Sequence, residues 1–363
     1  MVKLFIFARQ QIVLMQRFRI FFLVYLCFSS YKLLAKAPVF TEKDYLNHPP
    51  RIIRTCCAFG ANLKVSIIPV YRYTMLTSIE LLGPHKYLGG YGENNGILYT
   101  RRGGFIDIGH LRDLIDWTAY LYNLEKKSQE KGEVFINLGF EAGEKSLDIR
   151  IPSSENEENL ITLAGRIAYD ISIWHEITSW FGASDVPLVS EKFSSFSIED
   201  AYSNLLGINI ATEAIKSELP YDQAVTEAIK KTLIDLEAVS SKEESYQAMD
   251  AVREIWWTRK KHLPNNKIML RREVGAYSPL TPWLVPGWES KNSLPLKLTV
   301  PETTPDGIPL SEFYSFTVHL SHKLPVKKIF ADSSKHLVTQ LDFQHIIAYI
   351  ASGMLKKNIL IKM

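Results

Sequence analysis

The chain has 363 residues, 46% of them hydrophobic, which is enough to bury a large core in one or two domains. Its net charge of +3, from 42 basic and 39 acidic residues, comes from the N-terminus: residues 1–37 hold six basic residues and no acid, leaving 36 basic against 39 acidic beyond them. A slightly acidic body with no basic cluster interleaved with aromatics argues against nucleic-acid binding.

Between Arg19 and Lys32 runs the apolar stretch Ile20–Phe28, the length of a signal-peptide core and short of the ~20 residues that span a bilayer. Ala35-Lys36-Ala37 offers a cleavage site. The expectation is export to the periplasm or cell envelope, with an uncleaved inner-membrane anchor through residues 17–34 as the alternative. Outside this leader only Cys56 and Cys57 remain. Adjacent Cα atoms are ~3.8 Å apart, below the roughly 4.4 Å minimum usual for a disulfide, so stability must come from core packing.

Residues 38–55 read as an extended lead-in, and Gly83–Gly92 as a loop. Ile97–Thr100 reads as a short strand that feeds the motif Gly103–Asp113. From His110 to about Glu125, His110, Leu114, Trp117 and Leu121 fall on one helical face. Glu133–Phe140 and Ser146–Ile151 predict a hairpin. Glu157–Phe181 keeps a 3.6-residue apolar period and stops at Gly182. Ser197–Asp200 has the form of a capping box opening a helix to about Lys216. Tyr221–Val239 and Glu243–Lys261 predict two more helices. Beyond Pro264 prolines punctuate a loop-rich stretch, followed by strands at Phe313–Leu320 and around Ile329, then a helix or long strand over Gln340–Leu355. The expected fold class is α+β: a central bundle of about five helices with short flanking strands and a Pro-rich C-terminal region. The expected divisions are 1–37 (leader), 38–265 (main, mostly helical) and 266–363 (packed on it).

Three polar segments interrupt apolar helices. The first holds Asp107, His110, Arg112 and Asp113; an imidazole and a carboxylate three residues apart share a helical face and can bind a metal or act in proton transfer. The second is His175-Glu176, with His175 on the apolar stripe of its helix. The third is Glu199, Asp200 and Asn204. Each has a bland reading as caps and satisfied core groups. Read together, they predict a metal shell of His110, His175, Asp113 and Asp200, with Glu176 and Asp107 as catalytic groups and Arg112, Glu199 and Asn204 as binding groups. Imidazoles with carboxylates suit zinc, iron or manganese. Position 179 is Ser, so the helical H-E-x-x-H zinc motif is absent. A competing chemistry takes Cys56 or Cys57 as nucleophile, with His85 or His110 as base.

The strings Arg54–Gly60, Arg102–Asp113, Trp174–Ile177 and Ser194–Asn204 resemble a family of exported bacterial proteins catalogued as a domain of unknown function, a likeness covering about residues 48–350. The resemblance implies an envelope protein and brings no activity with it. The functional expectation is therefore a metal-dependent hydrolase acting on an envelope substrate. The alternatives are a non-catalytic envelope protein with a buried polar network and a cysteine hydrolase using Cys56 or Cys57 with His110.

Overall fold

The computed structural model describes residues 54, 57–66, 70–183, 191–321, 324–331, 334–357 and 359–362. The leader and the lead-in up to residue 53 lie outside the described residues. Among the described residues, seven α-helices and several small sheets make an α+β fold.

The fold is organised around α1 (Ile108–Lys131), which packs against α2 (Glu157–Phe181) and α3 (Asp200–Ile215). Two glycines set how close these helices come. A Cβ on Gly207 of α3 would lie 2.3 Å from the Leu111 carbonyl oxygen of α1, and one on Gly165 of α2 would lie 2.5 Å from the Ile208 side chain. Only glycine permits such backbone approach. It brings the first turn of α1 against the first two turns of α3, where the polar segments sit. Asn156 caps α2 through the Asn159 N–H, and Gly182 ends it at φ 94°.

Ahead of α1, strands β3 (Ile97–Thr100) and β4 (Gly104–Asp107) form a hairpin. Alternate residues of this hairpin face different apolar clusters, as a period of two requires. Leu98 and Ile106 join the main core, whereas Ile97, Tyr99 and Phe105 join a smaller one with Phe59, Trp256 and Trp257. The β1 (Leu63–Lys64) and β2 (Arg72–Tyr73) pair borders this smaller cluster. A four-stranded antiparallel sheet follows the order β5 (Val134–Phe140), β6 (Gly143–Ile149), β8 (Tyr314–Leu320), β9 (Leu337–Thr339). The long β6–β8 pairing joins the C-terminal region to the predicted hairpin. Strand β7 (Arg271–Glu273) pairs in parallel with β10 (Leu360–Lys362), which follows α7 (Phe343–Leu355).

Several predicted elements change. The helix α4 (Tyr221–Asp235) stops before Val239 because Leu236 and Glu237 give their carbonyls to the N–H groups of Arg102 and Arg101, and Val239 donates to Tyr99. The helix α5 (Lys242–Ala251) ends well before Lys261. Adjacent helical side chains diverge by about 100°, whereas Trp256 and Trp257 are both buried in one cluster, so the chain leaves the helix to seat them. The segment around Ile329 is the short helix α6 (Val326–Phe330), opened by Pro325. Capping boxes lie at Ser241 with Glu244 and at Thr339 with Asp342, and not at Ser197–Asp200. There Ser197 donates to the Glu199 side chain, and α3 begins at Asp200 without a side-chain cap.

Candidate metal centre

The motif at Gly103–Asp113 folds as strand, single-residue junction and helix. Asp107 is both the last residue of β4 and the N-cap of α1, its Oδ1 accepting from Gly109 N (2.7 Å) and His110 N (3.2 Å). Its Oδ2 accepts from Cys57 N (3.3 Å). Its own N–H donates to Ser203 Oγ of α3 at 2.9 Å, and that hydroxyl donates to the Glu199 carbonyl at 2.7 Å. One serine thus ties the starts of α1 and α3 together.

His110 faces Asn204, with Nδ1 3.2 Å from Asn204 Oδ1. With the proton on Nδ1 the ring donates to this amide oxygen and carries its lone pair at Nε2, the tautomer that a metal ligand requires. Nε2 lies 3.8 Å from Asp200 Oδ1. Both oxygens of Asp200 are buried without a hydrogen-bond partner. Asp107, His110 and Asp200 each place a ligand atom within 4.8 Å of the others. Atoms each ~2 Å from a common ion fall within such a spread.

Burial pushes the Asp200 carboxyl up to about 8; the charges of His110 and His175 pull against this, while those of Glu176 and Asp107 add to it. Burial, then the neighbouring Asp200, also raises Glu199. Arg272, fully buried on β7, is a cation near these acids. Burial lowers it to about 10, opposed by Glu176, Asp200 and Glu199 in that order. Its guanidinium does not pair directly with them. It donates to the carbonyls of Ser195, Lys192 (3.2 Å), Phe193 (3.3 Å) and Asn266 (3.0 Å), holding the turn that precedes α3. Glu176 holds the same turn from the other side by accepting the Phe196 N–H. Burial thus disfavours the charged forms of Asp200 and Glu199, and a divalent cation bound here would favour their ionisation.

A family model described as "Protein of unknown function (DUF4056)" matches residues 45–286, about two thirds of the chain. The chain belongs to this family. Searches of curated proteins and of solved structures give no match. Every residue of the cluster falls inside the DUF4056 span, whereas β8, α7 and β10 lie beyond it.

The structure thus gathers Asp107, His110, Asp200, Glu199 and Asn204 at one point, with Glu176 behind the turn. Two residues expected in the metal shell sit in other networks. His175 places Nδ1 2.7 Å from Glu141 Oε1, on the β5–β6 turn, where Thr178 (3.1 Å) and Lys145 (2.7 Å) also donate to the carboxylate. Asp113 accepts from Arg54 Nη1 at 2.9 Å, and the same guanidinium reaches Asp116 (2.7 Å) and Glu93 (2.8 Å). Arg112, expected to bind ligand, donates to the carbonyls of Leu82 (3.0 Å) and Gly83 (2.9 Å) and holds the Gly83–Gly92 loop. His85, offered as an alternative base, lies 3.1 Å from Asp116 Oδ1. Cys57 is fully buried, the environment of a structural thiol; Cys56 lies outside the described residues.

Sequence reasoning missed Ser203, Glu141 and Arg272. Ser203 lay inside a string already singled out and is a helical neighbour of Glu199. Glu141 lies in the predicted hairpin turn, but its partner His175 is 34 residues away, and Arg272 is placed by the pairing of β7 with the distant β10.

Proposed function

We propose that this protein is an exported, divalent-metal-dependent hydrolase, with Asp107, His110 and Asp200 as the protein ligands. The observation that carries this reading is the pair of buried Asp200 oxygens without partners, in a cluster with His110 and Asp107 whose ligand atoms lie within one ion's reach. A buried carboxylate left unpaired costs several kcal/mol, so a persistent one at a ligand cluster is accounted for by a cation. Asn204 supports the imidazole as outer partners of metal ligands do. Three protein ligands leave positions open for water and substrate, the pattern of catalytic rather than structural sites. One imidazole with two carboxylates suits manganese, iron or zinc, and hydrolysis by metal-activated water is the chemistry such an ion supplies.

Export rests on the basic, apolar N-terminal stretch, and the envelope is the proposed site of action. Among the described residues no helix is long and apolar enough to cross a membrane.

One observation favours a second reading. Both Asp107 oxygens already accept backbone N–H groups, as expected of a buried polar network that fixes helix register without a metal. Metal analysis decides between the two. The metal reading expects one equivalent of manganese, iron or zinc per chain by mass spectrometry, lost in both Asp200→Asn and His110→Ala. Purified protein that neither contains nor takes up any of these ions would sink it.

A further inference from the structure

Beside the triad lies Glu199, a second buried acid. It stands immediately before α3 with helical backbone angles (φ −96°, ψ −22°) and a side chain turned wholly inside. Oε2 accepts the Ser197 hydroxyl at 2.5 Å, which fixes the rotation of the carboxylate. Oε1 is buried and has no partner.

The surroundings limit where a partner for Oε1 can come from. On one side Glu199 borders a narrow cleft with no room for a water, walled by Phe105, Ile198, Tyr202, Pro282 and Trp283. The polar groups of that wall are already spent: Tyr202 donates to the Leu296 carbonyl (2.9 Å) and Trp283 to Glu273 (2.9 Å). Asp107 and Asp200 also bear on Glu199 through their charges, and as ionised metal ligands they offer acceptors only. Glu199 falls outside the set of ligand atoms lying within 4.8 Å of one another. It is therefore not one of the clustered ligand atoms, and its role would lie one shell out, where a water ~2 Å from the ion makes its own hydrogen bond of ~2.7 Å. Glu176, the other acid nearby, has Oε2 engaged by the Phe196 N–H.

We infer that Glu199 Oε1 accepts a hydrogen bond from a water bound to the cation held by Asp107, His110 and Asp200, and so orients that water for attack. The inference rests on the metal reading above. It makes Glu199 the residue that aims the nucleophile, while the three ligands hold the ion.

The test uses the full chain with Mn²⁺ as probe. Affinity is read from the electron paramagnetic resonance of free Mn²⁺, and exchange of bound water from ¹⁷O relaxation. Glu199→Ala is expected to keep Mn²⁺ affinity within about threefold of wild type and to release its water about fivefold faster or more, since one water-mediated bond is lost. Glu199→Gln is isosteric, retains a weaker acceptor, and should fall between; it carries the test if the alanine variant does not fold. Unchanged water exchange in both variants overturns the inference. So does a fall in affinity of about thirtyfold or more in both, which would make Glu199 a direct ligand. Wild-type chain that binds no Mn²⁺, zinc or iron defeats the metal reading itself, a result separate from either.

Discussion

Replacing Asp200 with asparagine should stabilise the metal-free protein and abolish its response to metal. The carboxyl is raised from 3.8 to about 8 by burial, so at pH 7 the fold must hold it mostly protonated. At 1.36 kcal/mol per pH unit, holding that proton costs roughly 4 kcal/mol, an upper figure for a group that shares its field with Glu199. An asparagine removes this cost but leaves an amide buried in the same place, at about 1–3 kcal/mol. The net gain is about 1–3 kcal/mol, or several degrees at the roughly 2 °C per kcal/mol of a chain this long. Cation at a hundred times its dissociation constant adds about 2.7 kcal/mol to the wild type and nothing to the variant. Scanning calorimetry at pH 7, in chelator and then in Mn²⁺ or Zn²⁺, measures both. Equal metal shifts in the two proteins, or a metal-free variant melting below wild type, would refute the reasoning.

Four further outcomes are expected. The metal-free wild type should lose stability as pH rises from about 4 toward 8, because an acid raised in the fold supports folding below its ordinary value and loses that support as it ionises; the Asp200→Asn curve, followed by denaturant midpoints, should be flatter. Glu141 behaves in the opposite sense: Lys145 and His175 hold its carboxyl below the usual range despite burial, so its contribution is present above about 4.5 and disappears in acid. Glu141→Ala should cost about 3 kcal/mol at neutral pH, with a smaller deficit near pH 3, read from urea midpoints. Asp170, fully buried, accepts from Tyr277 (2.7 Å), Tyr314 and Arg166 (3.2 Å) and ties α2 to the C-terminal third. Asp170→Ala should cost about 3–5 kcal/mol, and a melting point within 2 °C of wild type would contradict this. Finally, Gly207→Ala places a methyl against the Leu111 carbonyl; overpacking of about 1–3 kcal/mol outweighs a helix-propensity gain of about 1, and metal affinity should fall as α1 and α3 separate.

Much of the fold was legible because its signals are local. The apolar period of Glu157–Phe181 and the stop at Gly182 mark α2. Alternation marks the β5–β6 hairpin. The misplaced ends have one cause: each was decided by a partner remote in sequence. Val239 left its helix to pair with Tyr99, and Trp256 left another to join Phe105 and Trp283. The candidate site shows the same division. Asp107, His110, Asp200 and Asn204 were visible as polar residues where apolar helices begin. Asp113, one turn from His110, was indistinguishable from a ligand until Arg54 appeared opposite it.

The sequence by itself therefore determined the helices, the hairpin and the three segments that carry polar groups, since spacing and caps act within a few residues. Tertiary structure alone decided which of those groups meet. Gly207 lets α1 and α3 approach closely enough for Asp107 and His110 to face Asp200, while His175, on a helix just as well predicted, turns to Glu141. Metal coordination depends on distances of a few ångströms between separate elements, and those distances exist only once the helices have packed.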